Sequence, residues 1–219
     1  MDKLRLRFEK TGRAVYISHL DLMTTMQRGF ARAGYRLKYS EGFNPHALIS
    51  ILLPLSVGTA SVCELMDFRL AEDADLQEMP ARLTTALPEG LRVMEVYEQT
   101  RKSAELKWLQ IRGEFEYDER DPAEMAERLR AFYARDRITI LKKTKRGVGE
   151  TDIRPAIREI SFNQGERKVD IISIISAQEP TLNPELLVGA LRQLEPELVP
   201  DFARFTRLET YDAEMKLYR

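Results

Sequence analysis

The chain has 219 residues, 34 Lys and Arg against 35 Asp and Glu, two histidines and a single cysteine. That length suits two small domains of about 100 residues each. The lone Cys63 excludes an internal disulfide and a cysteine-rich zinc or iron–sulfur site built from this chain alone. No apolar run reaches the roughly 18 residues that span a bilayer, and no apolar signal core opens the chain, so a cytoplasmic protein without membrane contact is expected.

The near-neutral total hides a polarised first half. Residues 1–46 carry nine Lys and Arg against four acids, a net of +5, whereas residues 47–100 carry three bases against nine acids, a net of −6. Such asymmetry fits a polyanionic partner on one surface, and fits equally well two solvated faces that keep the protein soluble.

In chain order, Lys3 to Phe8 alternates Leu4, Leu6 and Phe8 with Lys3, Arg5 and Arg7, which predicts a strand with one buried face. From Ser18 the period lengthens: Leu22, Met26 and Phe30 recur at four-residue intervals, Ser18 and Asp21 resemble an N-terminal capping box, and Gly34 is the stop. The opposite stripe of this helix carries Arg28 and Arg32. Ala47–Leu55 and Ser61–Leu70 read as strands joined through Ser56–Ala60, with Cys63 as a buried strand thiol. A helix over Leu76–Leu87 and a strand over Leu91–Tyr97 complete the order β-α-β-β-α-β, that of a ferredoxin-like domain.

The same order recurs after a polar link near Thr100–Ala104. It predicts strand Lys107–Tyr117, helix Pro122–Ala134, strand Ile138–Lys143, strand Lys168–Ser176, helix Pro184–Leu194 and strand Ala203–Thr210. Ile153, Ile157 and Ile160 fit no single period, which leaves room for a further strand within Asp152–Phe162. The expected architecture is α+β, two tandem ferredoxin-like (βαββαβ) domains spanning residues 1–100 and 105–219.

Three segments carry candidate chemistry. Ser40-Glu41-Gly42-Phe43-Asn44-Pro45-His46 is a turn by composition, and it places an aromatic ring beside Lys38 and downstream of Arg28 and Arg32. Single-stranded RNA binding requires this combination, with Phe43 stacking a base, cations holding phosphates, and Asn44 and His46 reading base edges or the 2′-hydroxyl. An ordinary strand connection accounts for the turn equally simply. The second segment is Lys142-Lys143-Thr144-Lys145-Arg146-Gly147-Val148-Gly149, followed by Arg154 and Arg158. With six bases against two acids over residues 142–158, it reads either as a cationic hairpin tip for a phosphate backbone or as an exposed turn with solubilising lysines. The third is His19 at the helix start, a structural position that becomes catalytic only if the fold brings it to His46. His19 and His46 would then act as acid and base of a metal-independent endoribonuclease, with Lys38 stabilising the transition-state charge, or join Asp21 as metal ligands. Phosphate-loop, dinucleotide-fingerprint and nucleophile-elbow motifs are absent. No metal and no cofactor is assigned to the chain.

Arg7-Phe8, Tyr16-Ile17-Ser18-His19-Leu20-Asp21, Arg28, Arg32-Ala33, Tyr39 to His46, Pro54-Leu55-Ser56-Val57-Gly58 and Thr151-Asp152-Ile153-Arg154-Pro155 together resemble an uncharacterised radical-SAM-associated protein family. The resemblance implies a partner, a radical SAM protein with a cobalamin-binding type domain, and a link to RNA such as tRNA or rRNA. Any cluster chemistry would then belong to that partner, because this chain lacks a cysteine triad. The expected function is a non-catalytic RNA-binding accessory protein that presents RNA to the radical SAM modification enzyme; the endoribonuclease and a protein-binding scaffold are the alternatives.

Overall fold

The computed structural model describes residues 3–144 and 147–219. Two compact units divide the chain, one ending at Glu105 and the other running from Leu106 to Tyr218. Both are α+β, and among the described residues no helix is long and apolar enough to cross a membrane.

The first unit contains β1 (Leu4–Lys10), α1 (His19–Arg32), β2 (Ile49–Ile51), β3 (Ala60–Phe68), α2 (Met79–Ala86) and β4 (Leu91–Glu98). Its strands lie in the antiparallel order β4-β1-β3-β2, with Leu4 opposite Phe68 and Glu98, and Ile49 also opposite Phe68. The alternation in β1 buries Leu4, Leu6 and Phe8 against the helices. Ser18 caps α1 as its spacing predicts: Ser18 Oγ accepts from the Asp21 amide at 3.2 Å and donates to the Asp21 carboxylate at 2.7 Å. Leu22, Met26 and Phe30 form the buried stripe, and the Phe30 ring packs 4.9 Å from that of Phe68. Gly34 ends the helix at φ +82°, a conformation that other L-residues adopt only under strain.

Differences from the sequence reading are local here. The strand expected over Ala47–Leu55 shrinks to Ile49–Ile51, and α2 begins at Met79 with Pro80 in its first turn. Gly90 closes the turn before β4 at φ +89°; a Cβ there would lie 2.3 Å from the Thr11 carbonyl oxygen.

The second unit contains β5 (Trp108–Glu116), α3 (Pro122–Tyr133), β6 (Thr139–Thr144), β7 (Gly147–Asp152), β8 (Ile157–Gln164), β9 (Lys168–Ser176), α4 (Glu185–Leu194) and β10 (Phe202–Tyr211). Its sheet runs β10-β5-β9-β8, with every pair antiparallel. The segment Ile138–Lys143, expected as a sheet strand, instead pairs with β7 in a separate two-stranded hairpin. Ile138 and Ile140 bury the hairpin base, but Leu141 and Val148 are exposed, so the hairpin lacks a continuous apolar face to offer the sheet. β8 supplies that face through Ile157 and Phe162, opposite Ile175 and Ile171. A bulge between Ile157 and Glu159 shifts its register, which is why residues 152–162 show no clean period.

Candidate nucleic-acid interface

The loop that carries Phe43 grows from a short ladder. Lys38 donates its amide to the Arg69 carbonyl, its own carbonyl accepts from Leu48, and Ser40 N–H bonds the His46 carbonyl at 2.8 Å. These bonds close a neck at Tyr39 and Ala47, which form a bridge, and present residues 41–45 to solvent. Gly42 turns the tip at φ +119°. Phe43 is exposed at 112%, more than in a reference extended peptide, so its ring makes no packing contribution to the fold. A fully solvated aromatic at a loop tip, beside the exposed Lys38 and Asn44, is an available stacking surface.

His46 is held by its neighbour: Nδ1 lies 2.9 Å from Ser40 Oγ, which also accepts the His46 amide at 3.1 Å. That contact fixes the ring through one nitrogen and leaves Nε2 for another partner. The imidazole lines a recess of about 320 Å³ together with Lys3, Arg69, Asp67 and Gln99. Asp67, the carboxylate lining it, is held by the buried Arg5 guanidinium at 2.6 Å and accepts from Gln99 at 2.8 Å. The recess therefore presents cationic character beside the loop. Lys3 and Arg69 lie outside the sequence-predicted site, because only strand register carries residue 69 next to residue 38.

His19 and His46 do not assemble. His19 opens α1 near the Lys10 end of β1, whereas His46 precedes β2, whose Ile49 lies opposite Phe68 at the Leu4 end. α1 has 14 residues and spans about 21 Å between those ends. The acid–base pair of the endoribonuclease alternative is not formed, and among the described residues no group of three His, Cys, Asp or Glu side chains is placed to hold a metal.

The remaining candidates divide by what they touch. Arg28 is exposed, and among the described residues no carboxylate pairs with it. Arg32 donates from Nε and Nη2 to the Ala86 carbonyl at 2.9 and 2.6 Å, closing the C-terminal end of α2. Lys142 is half-buried on β6; Lys145 and Arg146, and the side chain of Lys143, lie outside what the structure describes. Arg154 donates from Nη1 to the Ile157 carbonyl at 2.7 Å. Asp152 anchors this turn: the Ile138 amide above all, then the Arg154 amide and the nearby Arg137 and Arg154 charges, hold its carboxyl below the usual carboxylate range against the opposing effect of burial.

Comparison with solved structures places this α+β fold among known ones. A chain in the crystal structure of a Cbf5–Nop10–Gar1 complex aligns with a TM-score of 0.50 at 11% identity, over 94% of this chain and 48% of that one. The present chain thus spans about half the length of that relative. Weaker likenesses are an unknown protein from Galdieria sulphuraria, TM-score 0.27, 11% identity, 94% and 98% covered, and Thermus thermophilus Cse3 bound to an RNA representing a pre-cleavage complex, TM-score 0.22, 13% identity, 94% and 99% covered. No curated protein sequence matches. The sequence profile of one family does match, over residues 3–184, and the chain belongs to that family, the uncharacterised proteins conserved in bacteria designated DUF2344.

Proposed function

We propose that this chain is an RNA-binding accessory protein, non-catalytic by itself, built from two ferredoxin-like domains over residues 1–100 and 105–219. It presents tRNA or rRNA to a radical SAM modification enzyme with a cobalamin-binding type domain, in the cytoplasm. The observation that carries the RNA reading is Phe43, fully solvated at a loop tip and flanked by Lys38, Asn44 and His46. The two βαββαβ units, with sheet orders β4-β1-β3-β2 and β10-β5-β9-β8, support the tandem description, although the extra β6–β7 hairpin departs from a simple repeat. The radical SAM partner rests on the sequence resemblance alone. Arg28, Lys38, Lys142, Lys143, Lys145 and Arg146 hold phosphates in this reading, and Arg32 and Arg154 add charge.

The experiment is crosslinking and sequencing of RNA bound to the wild type and to Phe43→Ala, with and without the radical SAM protein. Discrete RNA sites lost in Phe43→Ala, and a modification that appears only when both proteins are present, are the expected results. RNA capture equal in both forms removes the loop from the interface. Defined cleavage fragments from the isolated protein would overturn its non-catalytic role.

A further inference from the structure

The second unit holds a recess of about 520 Å³ between the C-terminal half of α3, the turn at Arg154–Ala156 and strands β8 and β9. Three arginines line it: Arg130, Arg154 and Arg158. Their partners set them apart from most arginines of this unit. Arg112, Arg120, Arg128, Arg135, Arg137 and Arg204 each contact a carboxylate within 4.0 Å. Arg130 and Arg154 are instead anchored by neutral carbonyls, at Phe162 and Ile157, both at 2.7 Å. Among the described residues neither pairs with a carboxylate in a salt bridge, although the Arg154 charge acts on the nearby Asp152, and each guanidinium keeps most of its five N–H donors.

Arg158 completes the set with a loose hold. Its guanidinium sits 5.4 Å from the Trp108 ring centroid, and its carboxylate contact, to Glu159, is at 4.0 Å and exposed on both sides. An exposed pair at that distance contributes little, so Arg158 is able to turn toward an arriving anion. The walls supply a different chemistry. Ile172 and Ile174, on one face of β9, form an aliphatic side for a planar ring, Gln110 and Ser161 add hydrogen-bonding groups, and Glu159 also lines the recess. The volume falls within the range of about 300–1,000 Å³ typical of small-molecule sites and is much larger than a bare phosphate needs.

We propose that this recess binds a nucleotide phosphate monoester, with Arg130, Arg154 and Arg158 on the phosphate oxygens and the apolar wall against the base. The shared chemistry occurs at an RNA 5′ end and in a free nucleoside monophosphate. Arginine is suited to it because its planar donors meet phosphate oxygens in pairs. The site shares Arg154 with the RNA surface proposed above but does not depend on the Phe43 loop.

Trp108 is the only tryptophan of the chain, so its fluorescence reports on Arg158 directly. The full chain is titrated with one RNA trinucleotide in 5′-phosphorylated and 5′-hydroxyl forms and with a nucleoside 5′-monophosphate. The phosphorylated trinucleotide is expected to bind about tenfold or more tightly than the hydroxyl form, the worth of one charge-assisted hydrogen bond or more. Arg158→Gln, on an exposed position, should remove most of that preference without lowering the melting temperature, and Arg154→Gln should do the same where it folds. Phe43→Ala should leave the preference intact, which separates this site from the loop. In Phe43→Ala, binding of the phosphorylated trinucleotide stronger than that of the monophosphate assigns an RNA end; equal binding assigns the nucleotide itself. Equal affinity for phosphorylated and hydroxyl forms, no saturable binding of any probe, or a preference unchanged in Arg158→Gln would overturn the proposal.

Discussion

Phe43→Ala separates binding from folding unusually well. The side chain is exposed at 112%, so truncation uncovers no buried apolar area in the folded chain. A surface change of this kind moves stability by no more than about 0.5 kcal/mol, or about 2 °C in melting temperature for a chain of this size. Against single-stranded RNA the same truncation should lose about 1–3 kcal/mol, the worth of one base stacked on an aromatic ring. That corresponds to about five- to 150-fold in Kd. Stacking carries no net charge, so the dependence of affinity on salt should stay parallel to that of the wild type. Lys38→Ala should behave differently, lowering the salt slope by about 0.7 for the single phosphate contact it removes. Fluorescence anisotropy of a labelled oligonucleotide at several salt concentrations, with a thermal melt of each variant, measures all of this. A melt several degrees lower would make Phe43 a structural anchor; an unchanged Kd in a folded variant would refute the stacking argument.

Asp67→Asn leaves the buried Arg5 guanidinium without its 2.6 Å carboxylate and should destabilise the protein by about 3 kcal/mol in chemical denaturation, toward the lower end for a broken buried pair because the amide oxygen still accepts one N–H. Asp152 has its folded pKa depressed, so its contribution is complete above the unfolded value of about 3.9 and is lost as pH falls through the lower folded value; Asp152→Asn should flatten the acid limb of the stability profile below about pH 4. Arg28→Ala should leave the melt unchanged and weaken RNA binding, whereas Arg32→Ala should lower stability by about 1 kcal/mol because the Ala86 carbonyl loses both donors.

The parts of the fold legible in the sequence are those whose signal is local. α1 shows itself because the Leu22, Met26 and Phe30 spacing, the Ser18 cap and Gly34 all agree. β1 shows itself because Leu4, Leu6 and Phe8 alternate with Arg5 and Arg7. β8 is hidden because its bulge displaces Arg158 and puts Ile157 and Ile160 out of step. β6 misleads for the complementary reason: Ile138 and Ile140 alternate like a sheet strand, but they only seat a hairpin whose outer residues face solvent. The Phe43 loop is legible through Gly42, Asn44 and Pro45. The Lys3–Arg69 recess beside it is not, because no local pattern in residues 60–70 announces that Arg69 will share a ladder with Lys38 and Leu48.

The charge count is where sequence and structure differ most in meaning. Of the nine bases in residues 1–46, Arg5 pairs with Asp67, Arg7 with Glu95 and Arg36 with Glu72, Arg32 closes α2, and Lys10 is buried with Nζ on the Val15 carbonyl. Asp67, Glu95 and Glu72 all belong to the acidic stretch that follows, so part of the +5 and −6 asymmetry is consumed in holding the first unit together. Lys3, Arg13, Arg28 and Lys38 remain, and among the described residues no carboxylate is paired with them. If this segment holds RNA through those four, the affinity should fall with salt at a slope of about 3 on logarithmic axes, since each single-strand phosphate contact contributes about 0.7. Nine independent contacts would give about 6. A slope near the larger value, carried by residues 1–46 alone, would mean that the ion pairs open on binding, and Asp67→Asn and Arg36→Ala would then alter RNA affinity as well as stability.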